Sequence, residues 1–170
     1  MKFKINVTKS LAKDKKQILD KWFESTINSY PPETARMLGR IKNKFDNPVG
    51  AATYESLEAV FEIMLKEMDL DAFEEALDPI IRIRAIQSFT PAKAVGFVFE
   101  LKEIGKKFLA PELYEPFDRQ VDRIALAAFN RFMKCRESIF LLKATEAKRR
   151  IHSAFERAGL VTELKEKDLF

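Results

Sequence analysis

One cysteine, one histidine and five glycines are spread over 170 residues, and each scarcity removes a class of protein. A lone Cys135 forms no intramolecular disulfide, and its surroundings give no secretory context, so a disulfide scaffold is excluded. A lone His152 excludes every site built on paired histidines, such as HExxH or a facial triad. The glycines are isolated. They form no GxSxG, P-loop or GxGxxG, and they are too few for the turns of an all-β fold. No segment reaches about 18 uninterrupted apolar residues, and the opening MKFKINVTKSLAKDKK places charges where a signal peptide needs an apolar core. The sequence therefore predicts a cytoplasmic protein with no membrane insertion. A charge of +4, from 30 Lys and Arg against 26 Asp and Glu, is too mild to argue for nucleic acid.

What the chain does have is apolar periodicity. It is 46% hydrophobic with 15 Phe, and a single domain of 1–170 can bury roughly 70% of its unfolded surface. Residues 1–9 alternate too briefly for a strand and read as an N-terminal arm. From Ser10, a plausible N-cap, Leu11, Ile18, Leu19, Trp22, Phe23 and Thr26 recur at helical spacing up to Pro31-Pro32. A shorter helix follows through Met37, Leu38 and Ile41, ending near Phe45-Asp46-Asn47-Pro48, with a loop at 47–50. Thr53 to Met68 is strongly amphipathic. Asp71 to Ser88 is apolar over a wide arc, including Ile83 and Ile86, and so predicts a central helix that Pro79 starts or kinks.

Thr90-Pro91 is a helix-start signature for the stripe Ala94, Phe97, Val98, Leu101, Ile104 and Phe108. After Pro116 one helix can run over 116–157, with a break near Lys143 as the alternative, before a tail at 158–170. Its residues Phe117, Val121, Ile124, Ala128, Phe132, Cys135, Ile139 and Leu142 make one seam. Phe129, Met133, Phe140, Ala147 and Ile151 make a second, suited to a homodimer or to burial within the chain. The sum is an all-α fold of six or seven helices, a helical bundle or globin-like stack with a long C-terminal helix.

Few residues offer chemistry. His152 sits among Lys148, Arg149, Arg150 and Arg157, which disfavours a bound cation and suits a solvated side chain. A haem or small-cofactor globin is the sharper alternative, but the helix after Pro91 supplies no axial histidine, so no cofactor is expected. Cys135 lies on the first seam and reads as a small buried side chain rather than a redox sensor. The basic stretch Lys143 to Arg157 is interrupted by Glu146 and Glu156 and lacks an aromatic platform, leaving nucleic-acid binding as a second alternative. Carboxylates are plentiful, notably Glu58, Glu62, Glu67, Glu74 and Glu75, but most fit solvated faces with lysine neighbours. No acid/base pair stands out, and no enzyme is expected.

Arg84 is different. It falls in the middle of the stripe Leu77, Ile80, Ile81, Ser88, with Gln87 at the margin. A charge there needs a carboxylate, such as Glu58, Glu62 or Glu100, or backbone carbonyls. Either Arg84 is a tether between helices, or Arg84 and Gln87 line an effector cavity with Met64, Phe89 and Phe97 around it.

Trp22, Ser29-Tyr30-Pro31, Phe45-Asp46-Asn47-Pro48-Val49-Gly50, Ile83-Arg84-Ala85-Ile86-Gln87-Ser88-Phe89-Thr90-Pro91 and the run from Ala94 to Leu101-Lys102 together carry a likeness. They resemble the N-terminal domain of RsbRD-type RsbT co-antagonist proteins. The resemblance implies a sensory regulator of bacterial stress signalling, and related RsbR-type domains are haem-free globin-like dimers joined by a helix to a STAS output domain. With Phe170 following soon after the long helix, the expectation is the input half without a STAS domain. That predicts a stand-alone sensor or adaptor, responding to a small-molecule effector and docking on a regulatory protein partner.

Overall fold

The computed structural model describes residues 2–39, 47–66, 69–87 and 89–158. Among them are α1 (Lys2–Lys13), α2 (Lys15–Asn28), α3 (Pro32–Leu38), α4 (Pro48–Lys66), α5 (Leu70–Ile86), α6 (Pro91–Val95), α7 (Phe97–Lys106), a 3-10 turn (Pro111–Leu113) and α8 (Tyr114–Arg157). No strand occurs among the described residues, so the fold is all-α. The chain divides into two compact units, Met1–Cys135 and Arg136–Phe170.

In the first unit α2 is the hub. Ile18, Leu19, Trp22, Phe23, Thr26 and Ile27 are buried, the spacing of a helix with an apolar face wide enough for two neighbours, and α2 packs on both α4 and α7. Trp22 is fully buried, stacks on Phe97 at 6.3 Å, and donates its indole N–H to the Phe97 carbonyl at 2.8 Å. That bond answers the polar end of an otherwise apolar side chain. The most extensive helix pair is α4 on α5, where the Ser56 hydroxyl also donates to the Ala76 carbonyl.

The first turns of α8 are laid on α7. Gly105 makes room for the Phe117 ring, which a Cβ would strike, and Lys102 to Asp122 at 2.6 Å and Lys106 to Asp118 at 3.0 Å form two ionic rungs beside it. Further along, Asp78 on α5 receives both Arg82 at 2.9 Å and Arg131 of α8 at 2.5 Å. Burial pushes the Asp78 carboxyl up, but the two arginines outweigh it and hold the group below its ordinary value. Glu58 and Glu62 both reach Lys15, at 2.8 and 2.6 Å, and together raise its pKa.

The structure departs from the sequence reading in several places, each with a local cause. From Lys2 on, the arm expected at 1–9 is part of α1, on which Val7 is 1% exposed. Ser10 is not an N-cap; it sits inside α1 and donates to the Phe108 carbonyl at 3.1 Å. The expected loop at 47–50 is instead the start of α4. Asn47 accepts from the Gly50 N–H at 2.9 Å and donates to the Leu38 carbonyl at 2.7 Å, and Pro48 needs no partner at the first helical position. Pro79 lies inside α5 rather than at its start. Ile86 is 70% exposed, while Arg84 and Ala85 of the same turn are buried, so it lies on the outer side of α5. Gly96 divides the single helix expected after Pro91 into α6 and α7, although Thr90 caps it as predicted, accepting from the Lys93 N–H. Ile41, Phe45, Asp46, Glu67, Met68, Ser88 and the tail beyond Ala158 fall outside the described residues.

Of the first seam on α8, Phe117, Val121, Ile124, Ala128, Phe132 and Cys135 are buried. Leu142, counted with them, is 71% exposed. It belongs to the second unit, where α8 runs on without a break at Lys143 and where no described residue is buried.

Two outcomes test this packing, with Trp22, the sole tryptophan, as a fluorescent reporter. Gly105→Ala forces a methyl group against Phe117 and should cost about 1–3 kcal/mol in urea unfolding. Because the Asp78 carboxyl is depressed, its contribution is present above the ordinary carboxylate range and is lost as pH falls through the folded value. Asp78→Asn should therefore destabilise the protein at neutral pH and flatten the acid limb of its stability profile.

Candidate functional site

Arg84 lies in the last turn of α5 and is 0% exposed. Its guanidinium is shared among three helices. One terminal nitrogen donates to the Lys93 and Ala94 carbonyls of α6 at 3.2 and 3.4 Å, and the other donates to the Thr26 carbonyl of α2 at 3.1 Å and the Ser29 hydroxyl at 2.8 Å. Thr26 is in the final turn of α2 and Lys93 and Ala94 are at the end of α6, so the cation meets the negative ends of two helix dipoles. Three rings close around it. The Arg84 Cζ is 5.1 Å from the Tyr30 ring centre, 5.1 Å from that of Phe89 and 4.6 Å from that of Phe97, distances suited to cation–π attraction.

Among the described residues no carboxylate pairs with Arg84. The tether to Glu58, Glu62 or Glu100 is therefore corrected: the two former are engaged by Lys15, Glu100 is exposed, and backbone carbonyls take the role. The Arg84 Nε has no hydrogen-bond partner, and burial pulls the guanidinium pKa down, with Tyr30 opposing the shift.

Beside the cage a pocket of about 580 Å³ opens at the surface, lined by Ser29, Tyr30, Pro31, Thr34, Gln87, Phe89 and Lys93. Of the residues expected around an effector cavity, Gln87 and Phe89 are on its wall, and Arg84 stands one shell behind, across Ser29. Phe97 is 3% exposed and serves the cage from inside. Met64, 1% exposed on α4, is core and lines no part of this pocket. Tyr30, Thr34 and Lys93 were missed by the sequence reading, although the Ser29-Tyr30-Pro31 run was already a marked motif.

The remaining candidates are dispersed. Phe129 and Met133, 44% and 47% exposed, lie on α8 in the first unit, where Phe129 joins Phe99 and Leu126 in an apolar groove of about 640 Å³. Phe140 and Ile151 are 70% and 58% exposed in the second unit, and Ala147 is exposed with them. Cys135 is buried, and burial raises its thiol pKa, which leaves it in the unreactive form. His152 is solvated, 3.4 Å from Glu156, and no cluster of metal-ligating side chains occurs among the described residues. In the basic stretch Glu146 pairs with both Arg149 and Arg150 at 3.1 Å. No described helix is long and apolar enough to cross a membrane.

An all-α module whose three helices converge on one caged cation, with a pocket at the cage wall, is the class of protein these features define. The chain belongs to the family of the RsbT co-antagonist protein rsbRD N-terminal domain, which it matches over residues 16–147. This is a family of regulatory or signalling modules. An uncharacterized protein of Archaeoglobus fulgidus is similar, 28% identical over 145 residues that cover 78% of this chain and 84% of that protein. No solved structure matches the chain significantly.

The cage predicts a large and specific stability effect. Arg84→Ala removes the hydrogen bonds and ring contacts together and should cost roughly 2–5 kcal/mol in urea unfolding. Arg84→Lys keeps the charge but loses the planar fork that reaches α2 and α6 at once, and should recover only part of that loss.

Proposed function

We propose that this chain is a non-enzymatic cytoplasmic module of bacterial-type stress or metabolic signalling. It responds to an effector through the packing of α2, α5 and α6 around Arg84, and it reports through protein contacts, first with a second copy of itself. A ligand at the cage wall acts by favouring one packing of these helices over another. The family match supports a regulatory role.

The observation that carries the self-contact is the second unit. From Arg136 to Ala158 none of its residues is buried, yet Phe140, Leu141, Leu142, Ile151 and Phe155 are 70%, 58%, 71%, 58% and 49% exposed. A single helix of about 33 Å gains little from propensity alone and draws its stability from packing. Phe140, Ala144, Ala147, Ile151 and Ala154 share one side of it, two large residues with alanines between and after them, a surface on which two identical helices interdigitate.

Sedimentation of the full chain at micromolar concentration should give twice the 19.7 kDa chain mass. Phe140→Asp combined with Ile151→Asp should give a monomer whose Trp22 remains buried. A wild-type chain that sediments as a monomer overturns the self-contact.

A further inference from the structure

Within the sensory reading, on which it rests, we propose that the pocket at the Arg84 cage binds a small organic anion, a planar apolar body bearing one carboxylate. The body is specified by the rings. Phe89, half-buried on the pocket wall, presents the ring surface on which a flat molecule packs, and Tyr30, 8% exposed and edge to face with it at 5.2 Å, backs that surface from the same wall. The volume of about 580 Å³ is that of a small-molecule site.

The charge is specified by what stands behind and beside those rings. Arg84 is a fully buried cation with no carboxylate partner among the described residues, and its nearer terminal nitrogen lies 2.8 Å from the Ser29 hydroxyl of the pocket wall. Poorly screened by solvent, its field projects through that wall. Lys93 adds a second positive charge at the rim, and no Asp or Glu is among the described lining residues. Of the other polar groups on the wall, the Thr34 hydroxyl and the Gln87 amide can both donate.

Ser29 supplies the contact between cage and ligand. Its oxygen accepts from Arg84, and its single proton goes to the Thr26 carbonyl at 2.6 Å. That carbonyl also receives Arg84 directly at 3.1 Å, so it stays satisfied when the serine proton turns outward to a ligand carboxylate. The hydroxyl, polarised by the guanidinium behind it, is then a strong donor into the pocket. An anion gains from this arrangement, a neutral molecule of the same shape gains less, and a cation is repelled.

Titration calorimetry and ligand-observed NMR on the full chain, with benzoate, benzamide, benzamidine and acetate as probes, test this. Benzoate should bind at least about tenfold tighter than either benzamide or acetate, with benzamidine weakest. Lys93→Glu and Gln87→Glu, both at exposed positions, should each weaken benzoate about tenfold without lowering the unfolding midpoint. Equal affinity for benzoate and benzamide overturns the proposal, as does benzoate binding indifferent to both substitutions. Acetate binding as tightly as benzoate removes the planar body. Absence of benzoate binding up to about 10 mM, the range open to so small a ligand, removes the site. Sedimentation of the same samples separates the two readings: a dimer that ignores benzoate sinks only this proposal, and a monomer that binds it sinks only the self-contact.

Discussion

Moving a guanidinium out of water costs more than any single hydrogen bond returns, so Arg84 persists only because several weak sources of negative potential converge on it. Two helix ends, one hydroxyl and three ring faces supply them. None is a formal charge among the described residues. The consequence is geometric: the ends of α2, α5 and α6 must meet at one point, because moving any of them strips the cation of part of its shell. Phe97 belongs to the same assembly, since its ring covers Arg84 while its carbonyl receives the Trp22 indole. The cage and the buried face of α2 are therefore one structure, and the fold of the first unit is organised from it.

Around this point the ionic contacts play a different role. Lys102 with Asp122, Lys106 with Asp118 and Arg131 with Asp78 are partly exposed and set how α8 lies on α7 and α5. Each contributes modestly in water. They add charge pairing at fixed positions to the register that the buried seam from Phe117 to Cys135 sets by packing, the Phe117 ring seated over Gly105 among it.

Much of this was legible in the sequence because helices write their burial as a period. The all-α class, the long α8, the Thr90 cap and the anomaly of Arg84 all followed from spacing and from residue type. What spacing did not reveal was anything decided by a neighbour distant in the chain. Asn47 becomes a cap only because the Leu38 carbonyl is there to receive it, and Ser10 is used by Phe108 instead of by its own helix. The carboxylate sought for Arg84 was a reasonable guess from charge alone, but Lys15 had already claimed Glu58 and Glu62. Backbone carbonyls carry no signature in a sequence, so the true partners of Arg84 were invisible until α2 and α6 were placed. The same holds for the pocket, whose walls come from segments more than fifty residues apart.

That Arg84 is answered mainly by carbonyls has a consequence for how this sequence can drift. Every amino acid brings the same carbonyl, proline included, so the residues at 26, 93 and 94 can exchange without depriving the cation of a partner, provided their own packing allows it. Position 84 has no such latitude, and neither do the three rings, because only an arginine fork and aromatic faces fill those roles. The knot is thus tied with few dedicated letters. A distant relative could rewrite most of α2 and α6 and still be held together at the same place.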